Sequence, residues 1–218
     1  MACIAIPPDT VTGRLMLTVT KTLLRFYLVR HKNWIFFRGN RLYVPSGCFT
    51  PAGTITSDLF SMVLARIQIG EPWAEIGCGS GQLSLLVAKR GIYVVGSDID
   101  EKCLRAMKVN SRANKVDGYI DVVLCDVASC LRSNAFNLVF TNPPYFPLEA
   151  EKPVDVSIVA GRDLRILKRF LLDSLRISKK RVPVLFSVSS LTGLKIGQPV
   201  LCRCLPLERI CINIAAKR

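Results

Sequence analysis

The chain has 218 residues, 50% apolar and 21% charged, which is enough to bury a core and too little polarity for a disordered chain. Thirty Lys+Arg against sixteen Asp+Glu give a formal net charge of +14. No apolar run approaches the roughly 20 residues of a membrane span. The longest candidate, Leu15 to Val29, is interrupted by Lys21 and Arg25, and residues 1–10 lack the basic lead of a secretory signal, so a cytoplasmic protein without a membrane partner is expected.

The charge is uneven: residues 1–50 carry a net +6, residues 51–150 a net −1 and residues 151–218 a net +9. Basic flanks around a neutral middle suit an anionic partner such as RNA, and equally suit plain solubility. The nine cysteines are scattered, with no C-x-x-C pair, and Cys202-x-Cys204 is too short for a zinc knuckle. Reduced, buried thiols and no metal site are therefore expected. His31, the single histidine, has no evident partner, so Ser-His or Cys-His nucleophilic catalysis is unsupported.

In chain order, residues 1–50 read as a β-rich extension, with Trp34–Phe37 and Leu42–Val44 joined by a Gly39-Asn40 turn. Residues 51–218 read as the main domain. Leu59, Phe60, Val63, Leu64 and Ile67 have helical spacing over 56–67. From Trp73 strands and helices alternate: strands at 73–76, 92–96, 120–124, 136–140 and 182–188, helices at 82–89, 101–112 and 163–177. The β-rich stretches 199–204 and 208–215 follow without a helix between them. This pattern predicts an α/β, Rossmann-like, mostly parallel sheet with helices on both faces, a C-terminal antiparallel hairpin and a short N-terminal β element.

The segment E-I-G-C-G-S-G (75–81) lies between a predicted strand and helix. Gly77, Gly79 and Gly81 permit a sharp turn and close ligand approach. Such a turn alone is weak, but Asp98 ends the next strand, where a carboxylate accepts from ribose hydroxyls, and Asp126 ends the third, near an adenine edge. The acid at Glu75 would repel a pyrophosphate and suits a cationic amino acid. That favours S-adenosylmethionine, which carries an ammonium and a sulfonium but no phosphate, over a nicotinamide dinucleotide.

Asn142-Pro143-Pro144-Tyr145 follows the fourth strand of this series, across the crevice from the glycine turn. The Asn142 side-chain oxygen and the Pro143 carbonyl accept from an –NH₂ group, and Tyr145 offers a stacking face. Such a site holds a planar amine or amide in line with a methyl sulfonium, with catalysis mostly by proximity. The plainer alternative is a rigid turn beside a core aromatic.

With these residues the chain resembles class I S-adenosylmethionine-dependent methyltransferases of the NPPY amino-methylating group, most closely the HemK/PrmC branch that methylates the glutamine of the GGQ motif in translation release factors. The likeness spans about residues 42–215 and rests on E-I-G-C-G-S-G, S-D-I-D (97–100), Asn110, C-D-V (125–127), N-P-P-Y and V-A-G-R-D-L-R-I (159–166). It implies that Glu75, Gly77 and Gly79 line the methionine part of the cofactor, with Gly81 completing the turn. Asp98 would hold the ribose, Ile99 flank the adenine, and Asp126 and Val127 meet its edge. Asn142 and Pro143 would hold the acceptor nitrogen against Tyr145. The chain departs from the branch around Tyr43-Val44-Pro45, where Thr54 or Thr56, with Thr54 preferred, replaces the family threonine. It also departs at Ala160 and Leu164, which stand for glycines. A small zinc-ribbon activator subunit is implied by the likeness to the archaeal and eukaryotic members. The expected acceptor is a release-factor glutamine; the alternatives are the adenine N6 or guanine N2 of RNA or DNA, or a catalytically dead partner subunit.

Overall fold

The computed structural model describes residues 7–30, 33–50, 53–206 and 208–217, so His31 and Cys3 lie outside the described residues. The chain opens with helix α1 (Val11–Arg30), followed by an antiparallel hairpin of β1 (Asn33–Phe37) and β2 (Asn40–Val44), then helix α2 (Ile55–Leu64). The alternating part follows: β3 (Trp73–Ile76), α3 (Gln82–Ala88), β4 (Val94–Asp98), α4 (Glu101–Ala113), β5 (Ile120–Leu124), β6 (Leu138–Thr141), α5 (Arg165–Ile177) and β7 (Val184–Ser189). The chain closes with β8 (Gln198–Cys204) and β9 (Arg209–Ala215). No helix of the described residues is long and apolar enough to cross a membrane.

Seven strands form one sheet in the order β5-β4-β3-β6-β7-β9-β8. The β3–β4, β4–β5, β3–β6 and β6–β7 pairs are parallel, and β9 pairs antiparallel with β7 and β8. Central strands β3, β6 and β7 are buried along their whole length, which is why their sequences are mostly apolar, with Glu75, Thr141, Ser187 and Ser189 as buried polar exceptions. The β8 edge is largely exposed. Two apolar clusters lie in the domain core, one around Trp73, Phe60, Leu85 and Met107, the other around Ile76, Phe170 and Phe186.

Residues 1–50 are not simply β-rich, because α1 fills twenty of them. Its many β-branched residues lower helix propensity, yet Leu17, Lys21 and Leu28 are buried at helical spacing, and tertiary burial overrides the local preference. The hairpin is not a separate unit either. Phe37, Leu42 and Val44 belong to the Trp73 cluster. Buried Asn110 of α4 accepts from Tyr43 N (2.6 Å) and donates to the carbonyls of Tyr43 (3.0 Å) and Ser80 (2.9 Å), joining the hairpin to the glycine turn.

The expectation of reduced thiols is corrected. Cys48–Cys103, Cys125–Cys130 and Cys202–Cys211 are disulfide-bonded, while Cys78 (buried) and Cys204 (exposed) are free. Cys48 and Cys103 are 55 residues apart in sequence and meet only through the docking of the segment after β2 against α4. Cys202 and Cys211 are register partners on β8 and β9. Linear spacing carries none of this.

Candidate cofactor and acceptor site

Strands β3 and β6 pair with Ile76 opposite Thr141, and the Thr141 hydroxyl donates to the Ile76 carbonyl at 2.8 Å. Gly77 and Asn142 therefore leave the sheet side by side. They do so at its carboxyl edge, where the strand order reverses and open α/β sheets bind ligands.

The three glycines of the turn all have positive φ: 71°, 53° and 85° at Gly77, Gly79 and Gly81. Their surroundings separate their roles. A Cβ on Gly77 would lie 2.9 Å from the Phe170 ring and one on Gly81 2.5 Å from Met107, whereas nothing lies within 4 Å of one on Gly79. Packing thus requires Gly77 and Gly81, and Gly79 alone faces open space.

Glu75 is buried on β3, and its Oε2 accepts from the Ser84 amide (2.8 Å) and hydroxyl. The carboxylate thereby satisfies a free N–H in the first turn of α3. Burial pushes its pKa up to about 8 against the lowering effect of those bonds. Asp98, at the end of β4, accepts from Gly79 N through Oδ2 (2.7 Å) and from Asp100 N through Oδ1 (2.9 Å). Burial raises its pKa, and the backbone bonds act against the rise. Ile99 beside it is 61% exposed.

At the end of β5, Cys125 N donates to the Asp98 carbonyl at 2.9 Å, placing Asp126 and Val127 beside Asp98. Asp126 forms a half-exposed ion pair with Arg169 of α5 at 2.8 Å. Val127 has φ 57°, a strained conformation for a β-branched residue of the kind found at ligand-holding turns. Along three neighbouring strand ends the rim therefore offers carboxylates, an exposed apolar side chain and one open glycine, with no basic residue on the turn itself. That donor set fits a nucleoside carrying positive charge and does not fit a pyrophosphate.

On the other half of the rim, Asn142 is half-buried and its carboxamide is held from two sides. Ser187 of β7 donates to Oδ1 at 2.6 Å, and Nδ2 donates to the Thr56 hydroxyl of α2 at 3.4 Å. Asn142, Pro143, Pro144, Tyr145 and Thr56 line a small, partly open pocket of about 40 Å³, and none of the described residues that line it is charged. The Tyr145 ring packs edge-on against Phe146 at 5.1 Å, and burial, with Glu208 nearby, raises its hydroxyl pKa.

Thr54 lies at the N-cap of α2, bonded to Ser57 at 2.8 Å, and Thr56 is the threonine that reaches Asn142. Sequence reasoning missed Ser187, although a serine inside the apolar run V-L-F-S-V-S was a visible signal. It also missed Leu24 and Phe49, which line the pocket from outside the alternating region and carried no local signal. Leu164, which stands for a family glycine, keeps the glycine-type conformation with φ 59° at the start of α5.

This sheet order and the paired loops on its carboxyl edge define the class I methyltransferase fold. The chain belongs to the methyltransferase small domain family, which matches residues 47–161. A Methanocaldococcus jannaschii protein named for protein N5-glutamine methyltransferase activity is 33% identical over 127 residues, covering 56% of this chain and 63% of that protein. The release factor glutamine methyltransferase of Borreliella burgdorferi is 27% identical over 110 residues, covering 49% of this chain and 36% of that protein. The chain thus spans less than two thirds of either relative. Among solved structures, T. thermophilus 16S rRNA N2 G1207 methyltransferase with AdoMet and guanosine shares the fold. Its TM-score is 0.58 at 18% identity, over 85% of this chain and 50% of that one.

Proposed function

We propose that this protein is an S-adenosylmethionine-dependent N-methyltransferase whose acceptor is a protein side-chain amide, the glutamine of a translation release factor. The observation that carries the reading is the Asn142 carboxamide, held between Ser187 and Thr56 at the rim beside the glycine turn. Gly79, Asp98, Ile99, Asp126 and Val127 would hold the cofactor, with Glu75 fixing the turn through α3. When bound, S-adenosylmethionine supplies a methyl group on a cationic sulfur. Asn142 Oδ1, with one lone pair taken by Ser187, offers the other to an acceptor N–H. Tyr145 and the prolines bound the space in which the acceptor plane can lie, and the gain is in orientation.

Local charge favours a protein acceptor over nucleic acid. Despite the overall +14, three cations of α1 and α5 are already paired: Lys21 with Glu151 (2.6 Å), Arg25 with Asp155 (2.7 Å) and Arg165 with Glu149 (2.8 Å). A phosphate backbone needs Lys/Arg free to neutralise it. The longest basic run, Lys179-Lys180-Arg181, precedes β7 and so lies at the opposite edge of the sheet. The second reading, methylation of a base amine, draws on a Dyadobacter fermentans relative named as a tRNA1(Val) adenine-N6 methyltransferase, 26% identical over 98 residues. Incubation with methyl-labelled S-adenosylmethionine, a GGQ-containing release factor and total RNA separates the readings. Label in the protein glutamine is expected, and label confined to RNA overturns the first reading.

A further inference from the structure

We propose that helix α1 is the acceptor-side wall of the transfer site and that Leu24 determines which acceptor group reaches Asn142. The inference rests on the reading above only in taking Asn142 as the residue that holds the acceptor. The helix precedes the span matched by the family, residues 47–161, so the wall is an addition to the family core.

Leu24 lines the same pocket as Asn142, Thr56 and Tyr145. Its position is fixed from both sides along the helix. Leu17 and Leu28, seven residues before and four after, are buried in one cluster with Phe146, Ile158 and Val159, which belong to the segment following the tetrapeptide. Between these anchors three ion pairs join the same segments, one of them Arg25 Nη2 to Glu151 at 3.1 Å. Arg25 grips fully buried Asp155 with two bonds, Nε to Oδ1 and Nη2 to Oδ2, both 2.7 Å, and nearly buried Lys21 reaches Glu151 at 2.6 Å. Asp155 Oδ2 also accepts from the amides of Glu151 (2.9 Å) and Lys152 (3.0 Å), so one carboxylate organises the loop and holds the helix against it. Bidentate pairs of this kind are geometrically specific, and breaking one would strand a buried charge. The helix therefore sits as a fixed surface, and Leu24, the side chain that α1 presents to the pocket among the described residues, sets the available width.

The test uses the full-length protein with labelled S-adenosylmethionine and whichever acceptor, release factor or RNA, takes label from the wild type. Leu24→Trp narrows the pocket and should lower kcat/KM for the acceptor by roughly tenfold or more. Cofactor affinity, measured by calorimetry, should stay within twofold, and Leu24→Ala should instead shift the acceptor KM with little change in kcat. Circular dichroism reports folding, and Leu24→Ala carries the test if the tryptophan variant does not fold. Unchanged acceptor kinetics in the folded variants overturn the proposal, as does a parallel loss of cofactor affinity. Label in RNA alone overturns the glutamine reading and leaves the Leu24 comparison to be scored on RNA; label in neither overturns both.

Discussion

The proposed donor half and acceptor half of the rim are built in different ways. The donor half is local: Glu75, the glycine turn, Asp98 and Asp126 sit at consecutive strand ends of one βαβαβ run, held together by bonds such as Gly79 N to the Asp98 carboxylate and Cys125 N to the Asp98 carbonyl. The acceptor half is assembled from distant pieces: α1, the Phe49 and Thr56 segments, the tetrapeptide after β6 and the Ser157-Ile158 segment, with Ser187 of β7 bonded to Asn142. A turn that only needs short-range geometry is written in short motifs. A pocket whose walls arrive from five places owes its shape to how those pieces dock.

The sharpest way to break this comparison is Asn142→Ala. Transfer should fall by on the order of a hundredfold or more in single-turnover assays, while calorimetry shows cofactor affinity nearly unchanged. Loss of both together would merge the two halves. Asp98→Ala should do the converse, weakening cofactor binding by roughly ten- to a hundredfold because the proposed ribose partner and two bonds to backbone N–H groups disappear at once. Wild-type affinity in that variant removes Asp98 from the donor half.

Ser187→Ala sharpens the division within the acceptor half. Without the hydroxyl that fixes Oδ1, kcat should drop by roughly tenfold at unchanged cofactor Kd, and Ser187→Thr, which keeps a hydroxyl, should recover most of the loss. Equal kinetics for the alanine and wild-type proteins would show that Asn142 needs no such support.

The smallest effect is a stability trend in the donor half. The Glu75 carboxyl holds its proton up to a pH of about 8 when folded, against an ordinary value of 4.5, because burial disfavours the charge. The folded state therefore binds more protons than the unfolded chain across that window. Its favourable contribution is complete below about pH 4.5 and is lost as pH rises through about 8. Glu75→Gln, which retains an acceptor for Ser84, should give a flatter melting-temperature profile between pH 5 and roughly 9, with the variant gaining on the wild type at the alkaline end. Parallel profiles would mean that the carboxyl ionises normally.

The alternation of strands and helices, the C-terminal hairpin and the motif residues on the rim were legible because each depends on neighbours in the chain. Periodicity marks an element, glycines mark a turn, and a carboxylate at a strand end marks the edge where ligands sit. Helix α1 lies in a stretch that the Trp34–Phe37 and Leu42–Val44 runs mark as β-rich, and its own threonines and valines favour strands locally. Only burial of Leu17 and Leu28, with the Arg25–Asp155 pair, makes it a helix of this fold. The contacts of Thr56 and Ser187 with Asn142 and the Cys48–Cys103 disulfide belong to the same class. The sequence alone determined the sheet and the chemistry along its edge, through short-range rules. Tertiary structure decided what encloses that chemistry, because side chains far apart in the chain acquire a shared environment only once the elements carrying them have packed.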